Sequence, residues 1–274
     1  MKIRREQGDE AVNEVNRTLY IPLYGKAYVS RKGVILHDPK AEEIWRKEGF
    51  QLKGKSRSKW LAYYMGMRSA VFDQWTKELL EEDAASIVLH IGCGMDSRVL
   101  RVNEPNVRWY DIDFPDVIAE RKKYYAETES YRMIAADIRE KGWLASLPAG
   151  RAIVVMEGVS MYLSLNEIQK LLAALTAHFS SVSLLVDCYT VLAAKASKYK
   201  NPINDVGVTQ VYGVDSPDAY TIGTGLVFDG EHCLTPQNMI EELSEAERHI
   251  FRHVFAGGFS RRLYRLYAYR SKKN

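Results

Sequence analysis

The chain has 274 residues, 46% of them hydrophobic and 27% charged, enough apolar material for a substantial core and too much for a wholly disordered chain. Thirty-eight basic residues against 35 acidic ones leave a net charge of +3, which gives no support to a nucleic-acid or acidic-membrane partner. Cys93, Cys188 and Cys233 are far apart with no CxxC pair, so neither a disulfide framework nor a metal site is expected, and the usage fits a reducing cytoplasm.

In chain order, the charged start from Met1 to Glu10 has no apolar stretch of the signal-peptide type, and the apolar runs are too short for a membrane span. Residues 1–85 read as a helical N-terminal cap. Val71, Phe72, Trp75, Leu79 and Leu80 recur at helical spacing in a segment starting near Tyr63, after a basic loop from Phe50 to Trp60. From Ser86 the pattern changes. Short runs at Ile87–Ile91, Arg132–Ala136, Ala152–Met156 and Ser183–Val186, and the alternating Val107–Ile112, read as strands. They stop at Gly92, Asp113, Asp137, Glu157 and Asp187. Ser164 and Glu167 form a capping box ahead of the stripe Ile168, Leu171, Leu172, Leu175, Phe179.

Strands alternating with helices predict an α/β, Rossmann-like, mostly parallel sheet with helices on both faces, filling residues 86–274. An insertion is expected at residues 195–230. His249–Phe255 and Arg262–Arg270, around Gly257-Gly258, read as an antiparallel C-terminal hairpin. His232 and His253 have no assigned role in this scheme and could still reach the site.

Ligands of such sheets bind beyond the carboxyl ends of the strands, where the acids fall. Gly92-Cys93-Gly94 sits at a strand-to-helix turn, where glycine permits close backbone approach. Asp113, at the next strand end, can accept both hydroxyls of a ribose. Asp137 and Ile138, after the third, can flank an adenine. Ser97 stands where a dinucleotide fingerprint has its third glycine, which disfavours a nicotinamide oxidoreductase and fits an adenosyl group without phosphate, as in S-adenosylmethionine. His90 reads as a satisfied core histidine and Cys93 as a buried packing residue.

The runs IVLHIGCGMDSRVLRV (Ile87–Val102), VRWYDIDFPDVIAERKKYY (Val107–Tyr125), AADIREKGW (Ala135–Trp143) and MEGVSMYL (Met156–Leu163) resemble the leucine carboxyl methyltransferase family. The segments Thr18–Trp45 and RSAVFD (Arg68–Asp73) resemble its bacterial branch of tetracenomycin-type polyketide O-methyltransferases. The resemblance spans Thr18 to about Asp187. It implies a class I methyltransferase with S-adenosyl-L-methionine as donor. Gly92 and Gly94 would lie under the methionine and ribose. Asp113 would hold the ribose, and Asp137 and Ile138 the adenine. Glu157 would meet the ammonium, and Arg68, assisted by Lys26, the carboxylate. Arg139 and Tyr162 match substrate-side positions.

The expected acceptor is a carboxylate or phenolic oxygen of a small molecule. A carboxylate is already ionised at neutral pH and needs no base, which fits motifs without an obvious one. Two alternatives remain open at this point: a protein C-terminal carboxyl methyltransferase and a non-catalytic adenosyl-binding protein.

Overall fold

A computed structural model describes residues 19–49, 54–140, 142–197 and 211–272. Its centre is one sheet of seven strands in the order β3-β2-β1-β4-β5-β7-β6. The strands are β1 (Ile87–Ile91), β2 (Arg108–Asp113), β3 (Tyr131–Ala135), β4 (Arg151–Met156), β5 (Ser181–Tyr189), β6 (Leu226–Glu231) and β7 (Tyr264–Ser271). The first five pair in parallel, and β7 lies antiparallel between β5 and β6. Every residue of β1 is buried, as a central parallel strand covered on both faces requires.

Successive side chains of β1 enter opposite cores. Ile87, Leu89 and Ile91 join Leu171, Leu172 and Leu175 on one face. Val88 joins Tyr63, Met67 and Phe72 on the other. The first group meets α6 (Leu165–His178), whose capping box is formed. The Ser164 amide donates to Glu167 Oε2 at 2.7 Å, and the Ser164 hydroxyl accepts from the Glu167 amide. The second group meets α3 (Lys59–Glu82), which begins four residues before the expected start near Tyr63. With α1 (19–32) and α2 (Pro39–Glu48), α3 lines the N-terminal side of this core. Three further helices connect strands or follow them: α4 (Arg98–Val102), α5 (Pro115–Arg121) and α7 (Val191–Ser197).

His90 is the polar member of β1. Its Nδ1 lies 3.2 Å from Asp111 Oδ1 and its Nε2 3.1 Å from Arg98 Nη1. Asp111, also buried, accepts from Trp109 Nε1 at 2.9 Å and the Tyr131 hydroxyl at 2.7 Å, and pairs with Arg121. The histidine is thus a fully partnered core residue, as expected.

The C-terminal antiparallel strands differ from the expected hairpin. His249–Phe255 is not a strand: it falls within and just after helix α9 (Glu245–Val254), which follows α8 (Gln237–Glu241) and precedes the short α10 (Gly258–Arg261). Ile250, Phe251, Val254 and Phe255 recur at i, i+1, i+4 and i+5, a helical pattern. Glu245 and Glu247 occupy the first turn and Arg252 and His253 the last, as the helix dipole favours. The outer partner of β7 is instead β6, from the segment expected as an insertion. Residues 198–210 of that segment lie outside the described residues.

Register aligns the site. Ile91 pairs with both Ile112 and Met156, and Met156 pairs with Val186. Gly92, Asp113, Glu157 and Asp187 therefore reach one edge of the sheet together.

Candidate functional site

A cavity of about 860 Å³ opens along that edge, with α1 and α3 contributing part of its wall. All ten residues singled out from the sequence line it: Lys26, Arg68, Gly92, Gly94, Asp113, Asp137, Ile138, Arg139, Glu157 and Tyr162. Its lining is mostly apolar, so the few charged groups fix what it can hold.

Gly92 and Gly94 have φ of +68° and +49°, the left-handed region that glycine enters without strain. The loop is pinned from below. The Gly92 amide donates to the Ile112 carbonyl at 2.8 Å, and Arg121 Nη1 donates to the Gly94 carbonyl at 2.9 Å. Asp113 accepts the Gly94 amide on Oδ2 and the Phe114 amide on Oδ1, both at 2.8 Å. Burial raises its pKa, against these two donors. Cys93 is buried between the glycines, and burial pushes its thiol well above the ordinary range, which suits a packing residue.

At the β3 end, Asp137 and Arg139 form a pair, with Arg139 Nε 2.9 Å from Asp137 Oδ1. Arg139 is therefore turned toward Asp137. At the β4 end, Arg68 Nε donates to Glu157 Oε1 at 2.9 Å, and Arg98 Nη2 pairs with Glu157 Oε2. Burial pushes the Glu157 carboxyl up, but Arg68 and Arg98 outweigh it and hold it at about 2. Lys26 Nζ, on α1, lies 3.1 Å from Asp96 Oδ2. Tyr162 stands at the cavity wall with 38% of its surface exposed.

Toward β5 and β7 the wall becomes aromatic and hydroxylic: Tyr64, Tyr189, Phe255 and Tyr264. Neither His232 nor His253 is among the lining residues. Among the described residues, no group of three or more His, Cys, Asp or Glu is placed to hold a metal ion, and no helix is long and apolar enough to cross a membrane.

The profile of the family described as "Leucine carboxyl methyltransferase" matches residues 14–176, more than half of the sequence. The chain belongs to the leucine carboxyl methyltransferase family.

Membership makes it an S-adenosylmethionine-dependent methyltransferase. The tetracenomycin polyketide synthesis O-methyltransferase TcmP of Streptomyces glaucescens is 30% identical over 206 residues, 74% of this chain and 76% of its own length. The S-adenosyl-L-methionine-dependent methyltransferase dpfgK of Gibberella zeae is 28% identical over 192 residues, 64% of each chain. Among solved structures, the plantazolicin methyltransferase BamL superposes with a TM-score of 0.52 at 12% identity, covering 95% of this chain and 98% of its own. Magnesium protoporphyrin IX methyltransferase of Synechocystis PCC 6803 gives 0.50 at 13% identity, covering 90% and 97%. At such identities the structures establish the class I methyltransferase fold alone.

In or against the lining stand three further groups that the sequence did not single out for the site. Arg98 follows the glycine loop and reads locally as a surface cation at a helix start. It is wholly buried, with Nε 2.7 Å from Asp73 Oδ1 and Nη2 3.3 Å from Asp96 Oδ2, besides its Glu157 contact. Asp187 and Tyr264, both against Arg68, lie beyond the family match. A strand-end acid was the one available signal for Asp187. For Arg98 and Tyr264 there was none, because their partners are distant in sequence.

Proposed function

We propose that this chain transfers the methyl group of S-adenosylmethionine to an oxygen of a small-molecule acceptor, a carboxylate in preference to a phenol. The observation that carries the reading is the row of acids at one sheet edge, Asp113, Asp137 and Glu157, facing one cavity with Arg68. The donor, when bound, supplies a sulfonium methyl group for in-line displacement.

The residues present fit that donor. Each Asp113 oxygen accepts one backbone amide and keeps a lone pair for a ribose hydroxyl. Asp137 and the Ile138 amide would hold the adenine. Glu157, kept ionised, would hold the ammonium. Among the described residues, Arg68 Nη2 has no hydrogen-bond partner, and it would meet the carboxylate with help from Lys26. Gly92 and Gly94 let the chain run close beneath. We assign the segment through residue 85 as the cap, since α1 and α3 wall the cavity and help exclude water.

Arg139 and Tyr162 we assign to the acceptor side; for Arg139 this requires release from Asp137. Among the described lining residues, the one histidine and the tyrosines Tyr64 and Tyr264 offer no free base. Burial raises the phenols of Tyr64 and Tyr264, and His90 is engaged by Asp111 and Arg98. Such hydroxyls stay protonated at neutral pH and abstract poorly. This supports an acceptor that arrives ionised, as a carboxylate does. The relation to TcmP supports an acceptor of polyketide type. The buried thiols of Cys93 and Cys188 fit a cytoplasmic setting.

Calorimetric titration with S-adenosylhomocysteine, with NAD as control, tests the donor. One-to-one binding of the first alone is expected. Methyl transfer to aromatic acids and to phenols then tests the acceptor, with base-labile methyl ester as the expected product. Base-stable ether would transfer the assignment to phenols. Methylation of peptide C-termini alone would make this a protein methyltransferase. Donor binding without turnover of any acceptor would make it an adenosyl-binding protein.

A further inference from the structure

Two of the three nitrogens of the Arg68 guanidinium are already held by protein groups. Nε donates to Glu157 Oε1 at 2.9 Å, and Nη1 donates to the Tyr264 hydroxyl, also at 2.9 Å. Asp187 Oδ2 lies 3.1 Å from the same Nη1. Tyr264 in turn donates to Asp187 Oδ2 at 2.6 Å, and Asp187 Oδ1 accepts the Gly158 amide at 2.7 Å. All three side chains are buried, Asp187 completely.

The sheet makes this triangle. Asp187 sits on β5, and β7 returns antiparallel beside it with Tyr264 opposite Tyr189. The Tyr264 ring is packed by Tyr189, centroids 5.0 Å apart, and by Tyr64 at 6.3 Å. Its hydroxyl thus has little freedom to leave Asp187.

A buried carboxylate facing a guanidinium tends to take two of its N–H groups side by side. Here the Tyr264 hydroxyl occupies one bond on Asp187 Oδ2 and the Gly158 amide occupies Oδ1. Asp187 therefore neutralises Arg68 through Nη1 alone and does not draw Nη2 onto itself.

We propose that Asp187 and Tyr264 are positioning residues that fix the angle of Arg68 and reserve its Nη2 for the donor's carboxylate. The inference rests on the assignment of Arg68 to that carboxylate. Without the hydroxyl, the guanidinium rotates toward Asp187 and Nη2 is withdrawn from the cavity.

The experiment is calorimetric titration of the full chain and of Tyr264→Phe, Asp187→Asn and Arg68→Met with two probes. S-adenosylhomocysteine carries the amino-acid end; 5′-methylthioadenosine lacks it. Tyr264→Phe should bind S-adenosylhomocysteine roughly tenfold more weakly, the order expected for one charge-assisted hydrogen bond, with 5′-methylthioadenosine unchanged. Asp187→Asn should shift in the same direction. Equal losses for both probes from folded Tyr264→Phe protein would reduce the tyrosine to a packing residue and overturn the inference. So would wild-type affinity in Tyr264→Phe beside a selective loss in Arg68→Met. If Arg68→Met itself weakens both probes alike, the assignment of Arg68 has failed, a different result. Tyr264→Phe carries the test even if Asp187→Asn does not fold.

Discussion

The Arg139 guanidinium lies along the carboxylate of Asp137, with Nε 2.9 Å from Oδ1 and 3.0 Å from Oδ2. The Arg139 amide also donates to Oδ1 at 3.0 Å, and Nη2 pairs with Oδ2. The Arg139 hydrogen bond leads in holding Asp137 below the usual carboxylate range. One carboxylate thus serves a neighbouring cation where, on the reading above, it would serve adenine.

Arg139→Ala should therefore leave donor affinity unchanged or tighten it a few-fold. The side chain is 47% exposed, and exposed pairs contribute only ~0–1 kcal/mol. Acceptor turnover should fall if Arg139 anchors the acceptor. Titration with S-adenosylhomocysteine and steady-state kinetics read the two effects separately. Weaker donor binding would mean that the arginine holds Asp137 in place for the adenine.

Asp113→Ala should weaken S-adenosylhomocysteine by about 1.5–3 kcal/mol, the range for hydrogen bonds to a charged group. The change also strips the Gly94 and Phe114 amides of their acceptor, so Asp113→Asn is the companion variant. Undiminished affinity in both, with the fold intact by circular dichroism, would remove the ribose assignment.

Gly92→Ala should be strongly destabilising for two separable reasons. A Cβ there would stand 2.1 Å from Val159 Cγ2, and φ is +68°. Overpacking costs about 1–3 kcal/mol and the left-handed conformation about 1–2 kcal/mol. Adding Val159→Ala should restore the packing part only. Denaturant melts of the single and double variants check this; complete recovery would show that backbone conformation is not a constraint at this turn.

Stability should fall steeply in acid. Burial raises the carboxyls of Glu157 and Asp111, but their cationic partners win and bring both to about 2, from ordinary values of 4.5 and 3.8. A folded pKa below the unfolded one stabilises above the unfolded value, and the contribution is lost as pH falls through the folded one. For Asp111 this amounts to about 2 kcal/mol. Asp113 and Asp187, raised by burial, work in the opposite direction. The melting temperature should drop between about pH 4.5 and pH 2, and a flat profile there would mean that the ion pairs do not hold in solution.

The parallel strands were legible because each is a short apolar or alternating run closed by a glycine or an acid, which period and punctuation both mark. β6 was not. It is an edge strand with Phe228 exposed and a register shift before Gly230, so it lacks the core pattern. α9 was misread because Ile250-Phe251 and Val254-Phe255 are apolar doublets that satisfy a strand locally and a helix only over two turns. The residues proposed for the donor carry a spacing that can be read along the chain. Asp187 showed only as a strand-end acid, and Arg98 and Tyr264 owe their places to pairings across the sheet and to α3, which no local window contains.

The position of β7 bears on how the molecule assembles. It is last of the seven strands in chain order, yet it is inserted between β5 and β6. Until residues 264–271 leave the ribosome, β6 has no neighbour to bond and β5 presents an open edge along its length. Pairings of such sequence separation form slowly and leave strand edges available to other chains in the meantime. Growth of the nascent chain thus leaves the sheet incomplete until its seventh strand closes the gap, and a chaperone that shields β5 and β6 during that interval would raise the yield of native protein.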